Sequence, residues 1–532
     1  MFDAGERSTV TTSDGNPWSI SGLTPADAGK KVHEVQQSGY VQTVGVGGVT
    51  IVNPGSGGEQ TGIDFANVPV NPAEWSRSAL VLNDFDWAHG WDNPNTFRQL
   101  TDLDQNGAVD YLGFGNTQTF GAFGGTWPSG PGFAGFTALL NDLGVAQGFT
   151  QAHQRGAANA GYGLAEIIYG QGDNGIVWYG ATQTEIRSIE GQPTPVPVYE
   201  ASPHLYANFG IDQGWTVHHS FDIVKASTAD SFASILGFGN SGIVVGPDAF
   251  APGADASQSY TIALPVGNDH GWDQSLDVRA FESHEHPAID LNTDGIADFV
   301  GMGPNGLQFA TGFLDGGGNF QLNALQTAHI NGGSSDFGRA QGWNNGNTIR
   351  YIADLNGDGR QDILGFGNAG ALVSLGQDPT THGGEAFGQI YLGIADFGFA
   401  QGWLSPTDLP RVIGDVNGDN VLDIVGFGNS NTFTALGSTD VNGPVTWAID
   451  PTLTINDYGA AQGWNSAPTV RDLADIDGDG KAELVLSGAQ GTHTWDLVLD
   501  RRRACTEGAF QSPVLAQTGP NSMSAPMLLL EE

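Results

Sequence analysis

The sequence predicts an all-β chain: a seven-bladed β-propeller with acidic loops, preceded by a small N-terminal β-sandwich. Three observations point there. A tripeptide like Asp-Phe-Gly followed by Gln-Gly-aromatic recurs seven times between about residues 78 and 500. Its aromatic falls at Trp91, Phe149, Trp215, Trp272, Trp343, Trp403 and Trp464, at intervals of 57 to 71 residues. Each interval holds several short β-rich runs, and a fixed period of that kind means a ring or solenoid of like units. Finally, 80 glycines and 26 prolines punctuate strands and argue against long helices.

Residues 1–75 stand apart from the repeats. Short β-rich runs such as Val32-His-Glu-Val and Tyr40-Val-Gln-Thr-Val alternate with Gly/Asp/Asn turns, which suits a sandwich. Val68-Pro-Val-Asn-Pro-Ala-Glu74 reads as a linker. The propeller is expected over 78–500 and a C-terminal tail over 501–532, the tail read as a frayed end or as a C-terminal secretion signal.

Copy five shows the unit best. A first strand leads into the acidic loop Asp354-Leu-Asn-Gly-Asp-Gly-Arg-Gln-Asp362. A second strand, Asp-Ile-Leu-Gly-Phe-Gly, follows, then a tight turn, a third strand (Ala371–Gly376) and a fourth (Gln389–Ala395). Four strands make a blade, and seven blades close with only short edges exposed. Copy seven is one strand short, whereas Ser78–Asp84 precedes the first marker with no blade of its own. The simplest closure pairs that strand beside residues 492–499, so that the two ends of the repeat region share blade seven.

The acidic loops carry oxygen side chains at positions 1, 3, 5 and 9, glycine at position 6 in four of the five, and a backbone carbonyl at position 7. This pattern resembles a shortened EF-hand loop and suits a hard cation. Five copies keep it: Asp102, Asp104, Asn106, Ala108 and Asp110; Asp290, Asn292, Asp294, Ile296 and Asp298; Asp354, Asn356, Asp358, Arg360 and Asp362; Asp415, Asn417, Asp419, Val421 and Asp423; Asp475, Asp477, Asp479, Lys481 and Glu483. Five loops in register, each before a β run, predict about five Ca2+ ions with a structural role; Mg2+ fits less well because it demands stricter geometry. Copies two and three place Ala158, Ala160 and Tyr162, and Ala226, Thr228 and Asp230, at positions 1, 3 and 5, and are expected to be metal-free.

A formal charge of −40 argues against nucleic acid and anionic membrane as partners. No stretch is long and apolar enough to span a bilayer. Cys505 is the single cysteine and leaves the compartment open, whereas oxygen-only calcium loops favour the extracellular space or the cell surface. No nucleophile elbow, phosphate loop or zinc spacing appears, so no enzyme is expected. His218-His219 and His284-Glu-His286 read as solvated loop histidines.

The repeat, Asp-Phe-Gly…Gly-Trp…Asp-x-Asn-Gly-Asp-Gly-x-x-Asp-Ile-x-Gly-Phe-Gly, resembles FG-GAP/VCBS repeats. It is most similar to the seven-bladed propellers of the Psathyrella velutina lectin-like family. Residues 1–75 resemble the end of a Cna-B/SdrD-B-like (prealbumin-like) surface domain. The lectin resemblance implies a secreted or cell-surface calcium-binding propeller that recognises glycans or glycoproteins, N-acetylated sugars among them. The integrin-type members of the repeat family imply the alternative, a non-sugar adhesion or scaffold module. Sugars lay their apolar face on aromatic rings while carboxamides take the hydroxyls. On that ground Trp91, Trp215, Trp272, Gln341, Trp343, Gln401, Trp403, Gln462 and Trp464 are the candidate carbohydrate contacts; the other reading of each marker tryptophan is blade-to-blade packing.

Overall fold

The computed structural model describes residues 74–498, with short breaks at 83, 128–129, 162–164, 190–191, 217–218, 283–287, 331–332, 345–347, 440–443, 466–468 and 490. Outside that span it describes the strands 8–10, 31–35, 40–44, 49–50, 66–69 and 527–531. Two units result, Met1–Glu74 with Val498–Glu532, and Trp75–Leu497.

In the first unit a four-stranded sheet runs in the order Ser8–Val10, Met527–Glu531, Lys31–Val35, Val49–Thr50, and Tyr40–Val44 pairs with Ala66–Pro69. The chain's last strand is antiparallel to both of its neighbours. The C-terminal end expected to fray therefore supplies a central strand of this sheet. The remainder of the sandwich reading lies outside the described residues.

The second unit is seven four-stranded antiparallel sheets. Blades one to six start at Phe97, Arg155, Phe221, Val278, Ile349 and Arg411. Blade two adds the hairpin Ala181–Ile189/Gln192–Tyr199 and blade four adds Gly312–Leu314/Phe320–Leu322. Blade seven consists of Val470–Ala474, Glu483–Gly488, Gly491–Val498 and, beside the last, Glu74–Leu82. The strand ahead of the first marker thus closes the ring, as its orphan position in the repeat required. Trp75, on that strand, is buried and donates from Nε1 to Thr434 Oγ1 of blade six at 2.9 Å.

The second strand is wholly buried in six of the seven blades, as in Asp110–Phe114, Ser234–Phe238, Phe299–Gly303, Asp362–Phe366 and Asp423–Phe427; in blade two Tyr169 and Gly172 are only partly covered. A strand covered on both faces reads as a near-continuous apolar run, here Asp-Ile-Leu-Gly-Phe. The core is a series of clusters that each span two adjacent blades, for example Leu355, Leu364 and Phe366 with Phe397, Trp403 and Ile424. Burial of these junctions supplies the main favourable term for closing the ring.

Candidate functional site: markers, acidic loops and the grooves between blades

The marker has a local logic. In copy five Asp336 Oδ1 accepts the Phe337 amide at 2.7 Å and the Trp343 indole N–H at 3.0 Å. Phe337 is fully buried with φ +60°, a conformation that an aromatic residue adopts only under outside constraint, and the aspartate and the core supply it. A single 3-10 turn, Arg339–Gln341, follows and ends at Gly342 with φ +100°, where glycine is the cheap choice. Glutamine then ties the turn to the preceding blade: Gln147 Nε2 reaches Thr117 O at 3.1 Å, Gln213 reaches Asn174 O at 3.0 Å and Gln462 reaches Ser430 O at 2.7 Å.

The marker indoles lie over the glycines of Gly-Phe-Gly in their own blade. A Cβ on Gly365 would stand 2.5 Å from Trp343 Cη2, and one on Gly426 would stand 2.5 Å from Trp403 Cη2. Trp91, Trp215, Trp272, Trp343 and Trp403 are only 4, 7, 4, 5 and 6% exposed. That corrects the carbohydrate reading for these five, because a covered indole face offers no surface to a sugar. Gln341 is likewise engaged in the turn, with Asn305 O at 3.5 Å, and Gln401 sits at the equivalent position.

Trp464 differs. It is half-buried and lines a groove of about 300 Å³ between blades seven and one, together with Trp87, Asp457, Gln462, Arg77 and His493. Trp87 opens the marker turn of copy one and is also half-buried, and its indole Nε1 is buried without a partner. Burial and the Arg77 charge push His493 down to about 4, so the imidazole in this wall is neutral at neutral pH. Trp87 was missed in the sequence because it falls outside the marker consensus.

A second repeated feature was also missed. Arg98, Arg155, Arg279, Arg350, Arg411 and Arg471 stand on first strands and donate through Nη1 to the carbonyls of Phe85, Leu143, Val266, Phe337, Phe397 and Tyr458. Arg155, Arg279, Arg411 and Arg471 also lie 5.2 to 5.5 Å from the ring of the Gly-Phe-Gly phenylalanine of the preceding blade. So the glycine of that tripeptide admits the indole and the phenylalanine carries the guanidinium. The signal lay in the sequence: six of only 18 basic residues sit 12 to 14 positions after the marker's second residue.

The acidic loops join first and second strands. The position-1 carboxylate accepts the amides of positions 5 and 6: Asp102 takes Asn106 and Gly107, Asp290 takes Asp294 and Gly295, and Asp354 takes Asp358 and Gly359. Position 5 accepts the position-7 amide, as Asn106 does from Ala108 and Asp419 from Val421. The position-9 carboxylates Asp110, Asp298, Asp362 and Asp423 are fully buried. One oxygen of each accepts the position-2 amide and the other accepts an amide in the third strand or just past its end, from Gly124, Gly312, Gly376 or Gly437. Burial pushes Asp298 and Asp423 up to about 7 and Glu483 up to about 9. Each oxygen keeps a second lone pair.

The five loops are not equal. Carboxylate oxygens of Asp102, Asp104 and Asp110 converge within 4.8 Å, as do those of Asp475, Asp477 and Glu483. Both oxygens of Asp104 are buried without a hydrogen-bond partner. Such a donor set fits a cation, since unpaired buried carboxylates are costly without one. In copies four, five and six the position-3 amide instead bonds the position-5 carboxylate, Asn292 to Asp294 at 3.0 Å, Asn356 to Asp358 at 3.3 Å and Asn417 to Asp419 at 3.1 Å. The loops also latch the ring. Val109 N donates to Asp475 O, Leu422 N to Leu355 O, Ala482 N to Asp415 O and Ala297 N to Ala226 O. Copies two and three keep such latches through Glu166 N to Leu103 O and Ala233 N to Ala160 O. His218, His284 and His286 lie outside the described residues; His219 is spent on the Thr216 amide and Asn240.

No protein-family model matches this sequence, and no curated protein does. Among solved structures, an Agrocybe aegerita lectin described as specific for non-reducing terminal N-acetylglucosamine superposes with a TM-score of 0.58 at 23% identity, over 81% of this chain and 92% of the lectin. Two further likenesses, to the Photorhabdus luminescens Tc holotoxin pore (TM-score 0.36, 13% identity, 76% of this chain and 17% of that one) and to Bacillus licheniformis rhamnogalacturonan lyase (0.26, 11%, 93% and 90%), are too remote to carry an argument. The first shows that the seven-bladed propeller is a fold this chain shares with a lectin.

Proposed function

We propose that this chain is a calcium-stabilised propeller lectin of the extracellular space or cell surface, which binds N-acetylated sugars in the groove between blades seven and one. One observation carries the reading: among the described residues at the marker turns, that groove pairs two half-buried indoles, Trp464 and Trp87, with an unpartnered indole N–H. An aromatic wall takes the apolar face of a sugar, and the Trp87 Nε1 donor, the Asp457 carboxylate and the Gln462 carboxamide serve its acetamido and hydroxyl groups. The fold shared with an N-acetylglucosamine-specific lectin supports the same reading. Calcium is assigned to the acidic loops, with the loops of Asp102–Asp110 and Asp475–Glu483 as the tightest, on the strength of their converging carboxylates.

The test is titration of the purified chain with N-acetylglucosamine, followed by tryptophan fluorescence and preceded by a glycan array to find the best sugar. Trp464→Ala and Trp87→Ala should each weaken binding at least about tenfold, roughly 1.4 kcal/mol, with the thermal midpoint preserved. An array without a single binder, or affinity untouched in both variants, would show the reading to be wrong.

A further inference from the structure

We infer that the mouth of the central channel is a second ligand site, built to take a small hydroxylated carboxylate such as a sugar acid. A cavity of about 610 Å³ opens there among the segments that lead from the markers into the first strands of blades seven and one to four. Phe97, Arg98, His153, Gln154, Arg155 and Gln274 are among its lining residues. That volume is in the range of small-molecule sites, which run from about 300 to 1,000 Å³. The lining is more polar than usual, so its occupant is polar too.

The charge of the occupant follows from Arg155. Its Nη1 and Nη2 are spent on Leu143 O at 3.1 Å and Asn95 O at 2.7 Å, but its Nε is buried without a partner. The side chain is 6% exposed, and burial alone pulls its affinity for its proton down, with no carboxylate offsetting it. At the same repeat position Arg279 and Arg350 feel the charge of Asp277 and Arg471 that of Asp408; Arg411 also lacks a nearby carboxylate, but it lies outside this lining. A buried cation without a counter-charge is expensive, and an incoming carboxylate supplies the charge. Arg98 stands in the same wall. His153 is pushed down by burial and stays neutral at neutral pH, and His219 is held by Asn240. Asp92 is an exposed rim residue and the sole acidic side chain of this lining.

The hydroxyl groups follow from two acceptors. Gln154 Oε1 and Gln274 Oε1 are buried without partners. Leaving such an acceptor unpaired is costly, so a donor is expected. Chloride, sulfate and phosphate dianion bring no donors; a polyhydroxylated carboxylate brings both the charge and the donors. Gln154 is itself a departure from the repeat. The residue before the first-strand arginine is Phe97, Val278, Ile349, Pro410 or Val470 in the other arginine-bearing blades, and glutamine in blade two alone. Phe97, 41% exposed, offers an apolar face to a sugar ring.

The experiment compares D-glucuronate with D-glucose, which differ at the carboxylate, by isothermal titration of the full chain. Glucuronate should bind with a dissociation constant of about 1 mM or tighter, and glucose at least about tenfold more weakly. Gln154→Leu, which restores the apolar residue of the other blades, should weaken glucuronate about tenfold, and Gln274→Leu should weaken it several-fold. Neither change should shift the thermal midpoint or the affinity for N-acetylglucosamine, and excess N-acetylglucosamine should not displace glucuronate. No binding of glucuronate at about 10 mM, equal affinity for glucose, or displacement by N-acetylglucosamine would each overturn the assignment. Loss of N-acetylglucosamine binding alone, with glucuronate binding intact, would count against the inter-blade groove and leave the channel site standing.

Discussion

Replacing Asp104 with asparagine should change stability in opposite directions with and without calcium. Both Asp104 oxygens are buried without a well-formed hydrogen bond, and burial, followed by the charge of Asp102, pushes the carboxylate up to about 6, with Asn106 offsetting only part of the rise. In the unfolded chain it titrates near 3.8. A folded value above the unfolded one means that the folded state holds the proton more tightly. Stability present below about pH 4 is therefore lost as pH rises through 6, and at pH 7 the metal-free fold carries the full penalty. Two units at 1.36 kcal/mol each give about 3 kcal/mol as a ceiling; the residue keeps some solvent contact, so about 1–3 kcal/mol is the working figure. Asp104→Asn removes this penalty, and in chelator at pH 7 the variant should unfold at a higher urea concentration than the parent. In millimolar calcium the same change replaces a charged ligand with a neutral carboxamide, as in copies four to six, and weakens the hold on the metal. A hundredfold loss of affinity at saturating metal removes about 2.7 kcal/mol, so the variant should then be the less stable protein. Urea unfolding in the two buffers reads both signs. A shift in the same direction with and without calcium would refute the assignment of this loop to a metal.

Three further outcomes are expected. Asp472, half-buried on the first strand of blade seven, is pushed up to about 6 by desolvation, so after allowance for its solvent contact Asp472→Asn should stabilise the protein by about 1–2 kcal/mol at pH 8 and by almost nothing near pH 4, as a pair of denaturation series would show. Gly365→Ala sets a Cβ 2.5 Å from Trp343 and 2.8 Å from Phe337, two buried rings without room to yield, and should cost at least about 1–3 kcal/mol in urea unfolding, whereas Gly316→Ala, with open space around it, should stay within about 0.5 kcal/mol. Deleting residues 1–73 should leave the melting of the propeller in place, whereas deleting 1–83 removes Trp75 and the closing strand, bares the Gly491–Val498 edge, and should yield aggregated or broadly melting protein.

The repeat made the ring legible. Seven markers, four β runs per interval, one strand left over at the start and a last copy one strand short made blade count, strand order and closure readable, because each depends on periodicity and on pairing every edge. The acidic loops were legible too, since ligand spacing is a local property. What the spacing hid was the difference among them, for the convergence at Asp104 and Asp477 and the self-pairing at Asn292, Asn356 and Asn417 depend on side-chain placement. The marker tryptophans were ambiguous because an aromatic beside a glutamine suits a sugar and a blade junction equally well; the glycines beneath the indoles decide for packing in five of them. The first-strand arginines were overlooked because their partners are main-chain carbonyls, which have no signature in sequence.

The same constraints indicate where ligand chemistry can enter such a ring. Asp336, Phe337, Gly342, Trp343, Gly365 and Arg350 are bound to one another by hydrogen bonds and close packing, so a change at one disturbs the others. Positions outside that lattice are free to differ between copies. The first residue of the marker turn is one: it is Trp87, Val145, Ile211, Asn268, Arg339, Phe399 and Ala460 in the seven copies. The residue before the first-strand arginine is another, and there Gln154 breaks an apolar series. Both positions face an opening, the inter-blade groove in one case and the channel mouth in the other. The copies therefore diverge where a side chain meets a cavity instead of a neighbouring blade, and the two sites proposed above, at Trp87 and at Gln154, leave untouched the junctions that hold the ring closed.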